Sequence, residues 1–308
     1  MHRAAGERRR RTCAPVGRDR GSRPLRRIAG LLLGAALVAV AALAAATWHL
    51  IAPQPAPAGP PPPGLGVEAI GFDSPSGSRI AGWFASGRTG AGAVLLLHGV
   101  RATRASMTAR MAWLAREGYA VLAVDLQAHG ESPGRFITFG RREALDAAAA
   151  VAILRARLPG ERIGAIGASL GGAAALLGTE PLAVDALVLE AVYPDIRSAV
   201  ANRLAIRLGE VGRRLTPLIE AAARLMTGLS PDELRPIDRI GAARAPILVA
   251  AGAEDRHTTA AETQAMFVRA TGMKQLWMVP GVAHVDLHAA APAAYEATVG
   301  AFLSLHLR

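Results

Sequence analysis

The chain has 308 residues, 51% of them hydrophobic, which is enough for one large α/β domain with a sizeable core. Its single cysteine, Cys13, excludes an internal disulfide, a thiolate nucleophile in the folded region and a Cys-ligated metal. The net charge of +11 is uneven: residues 1–27 hold ten arginines against Glu7 and Asp19, a net +8 that leaves only +3 for the rest, so no nucleic-acid partner is expected.

Residues 1–27 form an Arg-rich tail. From Ile28 to Ala52 there are 25 residues without Asp, Glu, Lys or Arg. At about 1.5 Å per residue, such a helix spans a hydrocarbon core of roughly 30 Å with some tilt. Arg23, Arg26 and Arg27 flank its start and Trp48 lies near its far end. The expectation is an uncleaved single-pass anchor over 28–52, with the tail cytoplasmic and the large domain extracytoplasmic. Ala42-Leu43-Ala44 and Ala44-Ala45-Ala46 leave open a cleaved signal and a secreted domain. Arg26-Arg27 fits a twin-arginine signal poorly. Residues 53–66 contain Pro53, Pro55, Pro57 and Pro60 to Pro63, which predicts an extended spacer between membrane and domain.

From residue 67 on, short apolar runs alternate with helical patterns. Strands are predicted over 67–72, 79–84, 94–97, 121–124, 163–166, 187–189, 247–250 and 276–279. Helices are predicted over 107–116, 142–157, 172–177, 261–270 and 293–305. Continuous apolar strands separated by helices predict a mostly parallel sheet covered on both faces, with ligands at the carboxyl ends of the strands. Over 196–229, apolar residues recur at three- and four-residue steps among six arginines, and Pro217 interrupts them, which predicts two helices. Two readings stand for this pair: a cap shaping an apolar acyl pocket, and helices packed on the sheet with a solvated arginine face.

The chemistry starts from Gly167-Ala168-Ser169-Leu170-Gly171, a G-x-S-x-G stretch. It lies between an apolar run ending at Ile166 and a small-residue helical pattern. Strand, tight turn and helix in that order are what a nucleophile elbow needs. The turn exposes the serine hydroxyl, and the next N–H points from the helix N-terminus at developing negative charge. A serine hydroxyl needs a base, and the base needs an orienting group. Asp255 follows the strand predicted over 247–250, and His284 follows the last strand, giving the order Ser, Asp, His. Glu254, Glu190 and Asp195 compete for the acid, His257 and His288 for the base, and helix capping is the alternative role for Ser169. His98 and His129 are expected to hold loops. Arg101 and Arg104 are expected as loop arginines that either line the cleft entrance or lie in solvent.

Residues 67–308 resemble an α/β-hydrolase of the dienelactone-hydrolase-like and serine-aminopeptidase-like branch. The likeness rests on His98-Gly99, Asp125 with His129-Gly130-Glu131-Ser132, the elbow, Gly252 with Asp255, and His284. It implies an oxyanion hole from the N–H groups of Val100 and Leu170, and neither metal nor organic cofactor. Gly99-Val100-Arg101 replaces the Gly-Gly-Gly run of many lipases and counts against the hormone-sensitive-lipase branch. The expected activity is a membrane-anchored serine hydrolase of a small-molecule ester or thioester, acting through an acyl-enzyme. A serine peptidase or amidase on the same fold and a catalytically silent envelope binding protein are the alternatives.

Overall fold

The computed structural model describes residues 22–308, with side chains from Arg26 on. Most of the Arg-rich tail, Cys13 included, lies outside the described residues. The chain divides into two compact units, residues 1–44 and 45–308. Helix α1 runs Ser22–Ile51, and its Arg26–Ile51 stretch is long and apolar enough to cross a membrane or to act as a signal sequence. In the first unit Leu31, Leu32, Leu33, Leu37 and Val38 are all exposed.

The second unit is built on eight strands: β1 Glu68–Asp73, β2 Arg79–Ala85, β3 Ala93–Leu97, β4 Ala120–Val124, β5 Ile163–Ala168, β6 Ala186–Glu190, β7 Ile247–Gly252 and β8 Lys274–Val279. Their spatial order is β8-β7-β6-β5-β3-β4-β2-β1. β1 pairs antiparallel with β2, and β2 antiparallel with β4. All other pairings are parallel. The central strands are buried along their whole length, as unbroken runs such as Ala93-Val94-Leu95-Leu96-Leu97 require when helices cover both faces. The connecting helices are α2 Thr108–Glu117, α3 Glu143–Arg157, α4 Leu170–Leu176, α5 Ile196–Arg214, α6 Thr216–Thr227, α7 Ala260–Arg269 and α8 Pro292–Leu307. This is an α/β-hydrolase fold. Loops from the carboxyl ends of β3, β5, β7 and β8 carry residues 98–100, Ser169, Asp255 and His284 to one edge of the sheet.

Two expectations change. The break in the 196–229 pair falls at Leu215, not at Pro217, which sits in the first turn of α6 where its missing N–H costs nothing. A second kink lies inside α5 at Gly209, whose φ of 63° a residue with a Cβ adopts only under strain. The proline-rich segment is also no free spacer at its start. Gln54 N–H donates to Ala128 at 2.7 Å, Ala56 N–H to Gly130 at 3.0 Å, and Ile137 N–H to Ile51 at 2.8 Å. Ile51 is 1% exposed, so the last turn of α1 is part of the second unit's core.

Candidate active site

β5 delivers the chain into Ser169 at φ 47° and ψ −105°, a conformation that costs a non-glycine residue on the order of 1–3 kcal/mol. Three contacts hold it there. The Ser169 N–H donates to the Glu190 carbonyl at the end of β6, at 2.7 Å. A Cβ on Gly167 would come within 2.6 Å of the Gly172 nitrogen, and one on Gly171 within 2.3 Å of the Leu97 carbonyl, so α4 packs this close only with glycines there. Ser169 occupies the N-cap position of α4 but makes no side-chain capping bond, which removes helix capping as its role. Leu170, the first residue of α4, has an N–H without an intrahelical acceptor.

The β3 loop lies against the elbow: a Cβ on Gly99 would sit 3.8 Å from that of Ser169. His98 supports this loop. Its Nε2 accepts the Leu126 N–H at 3.1 Å, so its Nδ1–H donates to the Gly99 carbonyl at 2.8 Å. Burial, then the neighbouring His129, push the pKa of His98 down to about 3, and the ring stays neutral. His129 Nδ1 bonds the Gln127 carbonyl at 3.1 Å. Both histidines hold loops, as expected.

Asp255 is buried beyond β7. Its Oδ1 accepts the N–H groups of His257 at 2.7 Å and Thr258 at 2.9 Å, and its Oδ2 lies 2.6 Å from His284 Nδ1. Burial acts to raise its pKa, but the His284 contact and the two N–H groups outweigh that and hold the carboxyl below its usual range. Among the described residues, the Ser169 hydroxyl has no hydrogen-bond partner. The structure thus joins Asp255 to His284 and leaves Ser169 unbonded to His284. Hydroxyl–imidazole bonds of this kind are often loose in unliganded enzymes.

Of the competitors, Glu190, Asp195 and His288 are engaged elsewhere, whereas His257 stays beside His284, their ring centroids 5.0 Å apart. Glu254 is exposed. Glu190 is paired with Arg110 at 2.7 Å and accepts from Tyr295. Asp195 caps α5 through the Ser198 N–H at 2.9 Å. His288 bonds Glu296 at 3.0 Å and stacks on Trp113. The donor atoms of Asp255, His257 and His284 lie within 4.8 Å of one another, a spacing a cation would fit. His284 Nδ1 and both Asp255 oxygens are, however, already committed to the contacts above.

Comparison with known proteins agrees with this frame. Residues 89–235 match the family model described as serine aminopeptidase, S33. Two uncharacterized proteins from strains of Mycobacterium tuberculosis are each 32% identical over 239 residues, covering 74% of this chain and 78% of the relative. This chain belongs to the α/β-hydrolase family. Among solved structures, an esterase of Pyrococcus furiosus superposes with a TM-score of 0.69 at 24% identity, over 84% of this chain and 99% of that one. A thermophilic esterase of Thermogutta terrifontis gives 0.56 at 19%, over 78% and 99%. At those identities the likeness is one of fold.

In this α/β-hydrolase a cavity of about 230 Å³ opens at the elbow, with Val100, Ser169 and Leu170 in its wall. α5 forms another side through Ile196, Val200, Arg203, Leu204 and Arg207, and the end of α1 adds His49 and Leu50. Arg101 lines the cavity and donates to the His49 carbonyl. Arg104 corrects the expectation of a cleft or solvent arginine. It is 3% exposed, paired with Asp125 and Glu131, and lies over the Trp83 ring. Phe139 and Tyr193 also line the cavity, joined by a 2.7 Å bond from the Tyr193 hydroxyl to the Phe139 carbonyl. Neither was picked out in the sequence, although Tyr193 lies just beyond the carboxyl end of β6, where ligand-facing residues collect.

Proposed function

We propose that this α/β-hydrolase is a serine hydrolase that cleaves an ester through an acyl-enzyme. The observation that carries the reading is Ser169: a strained residue between β5 and α4, its hydroxyl uncommitted, in the wall of a largely apolar cavity. In this reading Ser169 Oγ attacks the ester carbonyl while His284 Nε2 takes its proton. Asp255 fixes the Nδ1–H tautomer of His284 and stabilises the imidazolium. The Val100 and Leu170 N–H groups receive the oxyanion, an interaction worth about 3–4 kcal/mol per donor in comparable sites. Collapse expels the alcohol, which takes the proton from His284. Water activated by His284 then adds to the acyl-enzyme and releases the acid and free Ser169.

An aminopeptidase would hold its substrate's ammonium with a carboxylate, whereas the charged cavity-lining side chains are Arg101, Arg203 and Arg207. The lining therefore favours ester over aminoacyl amide. Helix α1 is read as the membrane anchor, with the second unit extracytoplasmic. The deciding experiment is fluorophosphonate labelling of the full chain and of Ser169→Ala. Labelling of the wild type alone supports the assignment, and equal labelling of both refutes it.

A further inference from the structure

The fold neutralises its buried guanidinium groups with care. Arg104 meets Asp125 and Glu131, and Arg110 meets Glu190 and Asp286. Arg203 breaks that habit. It is half-buried in the cavity wall, and its one hydrogen bond is from Nη1 to the Ala199 carbonyl, one turn back in α5, at 3.0 Å. Among the described residues no carboxylate lies within ion-pair distance of it. Burial lowers its pKa, and Tyr193 and the Asp255 and Glu262 carboxylates, none of them paired with it, only partly offset that. Arg207, one turn further along α5, is exposed, lines the same cavity and makes no ion pair among the described residues. Holding a guanidinium partly out of water without a paired counter-charge is costly, so a ligand that brings an anion to Arg203 relieves that cost.

The position of Arg203 says which part of a substrate would carry that anion. It lines the same cavity as His257, whose pKa is lowered by burial, then by His284 and Arg203, and whose ring lies 5.0 Å from that of His284. In the proposed reaction His284 hands a proton to the departing oxygen, so groups on the histidine side belong to the alcohol half of the ester. Much of the remaining wall, including Val100, Leu170, Val200 and Leu204, is apolar and suits an acyl chain. Leu50 adds to it from the same helix whose earlier turns are apolar enough to cross a membrane.

We propose that the cavity takes an anionic amphiphile: an ester whose acyl chain lies on the apolar wall and whose alcohol half carries a phosphate or carboxylate held by Arg203 and Arg207. The proposal rests on the ester-hydrolase reading above and names its substrate class. Guanidinium–anion hydrogen bonds contribute enough to favour the charged ester by roughly ten- to a hundredfold.

The test compares octanoylglycerol with octanoylglycerol phosphate on full-length protein in detergent micelles, as the ratio of the two kcat/KM values. Because both are measured on one preparation, loss of folded protein cancels. The ratio is expected to favour the phosphate ester at least tenfold in the wild type and to fall by about that factor in Arg203→Gln, with a smaller fall in Arg207→Gln. The same pair with oleoyl chains in phosphatidylcholine vesicles distinguishes a lipid from a water-soluble ester. Preference retained in vesicles names a membrane lipid, and preference confined to the octanoyl pair names a soluble amphiphile; both support anion recognition. A wild-type ratio near one, a ratio unmoved by either substitution, or turnover of neither ester by protein that fluorophosphonate does label would overturn it. Absence of both labelling and turnover defeats the underlying ester-hydrolase reading instead.

Discussion

The Asp255 carboxylate serves two neighbours at once, with Oδ1 on two backbone N–H groups and Oδ2 on His284. Asparagine there keeps the size but offers only one acceptor oxygen. If its NH2 faces His284, the imidazole is held in the wrong tautomer. Asp255→Asn is therefore expected to lower kcat about 10⁴-fold on any ester turned over, with little change in KM. His98 makes a separate prediction about pH. Its pKa drops from 6.5 to about 3 on folding, so the unfolded chain binds the extra proton first. Its contribution to stability is complete above pH 6.5 and is lost as pH falls towards the folded value, by up to about 1.4 kcal/mol per pH unit. Urea midpoints at neutral and mildly acidic pH should show that slope, and His98→Gln should flatten it. The strand-end positions of Ser169, Asp255 and His284 were readable from sequence because each follows an apolar run, and their chain order is a property of the fold rather than of the chemistry. Arg104 was not, because its partners Asp125 and Glu131 lie far enough along the chain that only the closed sheet brings them to it.

Helix α2 shows what a single element couples. Arg110 lies on its buried face with Met111, Trp113 and Leu114. From there Nη2 meets Glu190 and Nη1 meets Asp286, both at 2.7 Å, and Nε donates to the Tyr295 hydroxyl at 3.0 Å. Glu190 ends the strand whose carbonyl holds the Ser169 N–H, and Asp286 lies two residues beyond His284. One guanidinium thus ties α2 and α8 to the two loops that carry Ser169 and His284. Arg110→Met would strand the Glu190 carboxylate in the core, so a loss of about 3–5 kcal/mol is expected. Adding Glu190→Met to it should return a large part of that loss, because the pair rather than either charge is what the core tolerates. Urea denaturation of both variants measures the difference, and a double variant no more stable than Arg110→Met would contradict this account. Arg110 was not singled out in the sequence, although its spacing to Trp113 and Leu114 puts it on the apolar stripe. Glu190 reads as a rival catalytic acid for the same reason: position at a strand end is visible in sequence, and partner is not.

At the scale of the whole molecule, the apolar segment and the large domain were expected to be separated by a proline spacer, whereas the last turns of helix α1 already belong to the second unit. Apolar composition marks where a helix could cross a bilayer, but the same residues also suit a protein core, so the pattern cannot show where one use gives way to the other. The second unit begins at Ala45, and Ile51, Gln54 and Ala56 are fastened to the segment 128–137 by packing and backbone hydrogen bonds. Removal of residues 1–44 is therefore expected to leave a stable domain that stays in the supernatant, while the full chain sediments with membranes and resists alkaline extraction. Removal of residues 1–57 should cost far more than the loss of a tether. It takes away the buried Ile51 side chain, a contribution of about 2–5 kcal/mol by comparison with core truncations, and leaves the Ala128 and Gly130 carbonyls without their donors. It also opens the cavity where His49 and Leu50 line it. The melting temperature of the shorter form should lie several degrees below that of the longer one, with a raised KM for long acyl chains. Equal melting temperatures would mean that the end of α1 only rests on the domain, whereas recovery of the wild-type chain as soluble protein lacking the apolar segment would show cleavage and remove the anchor.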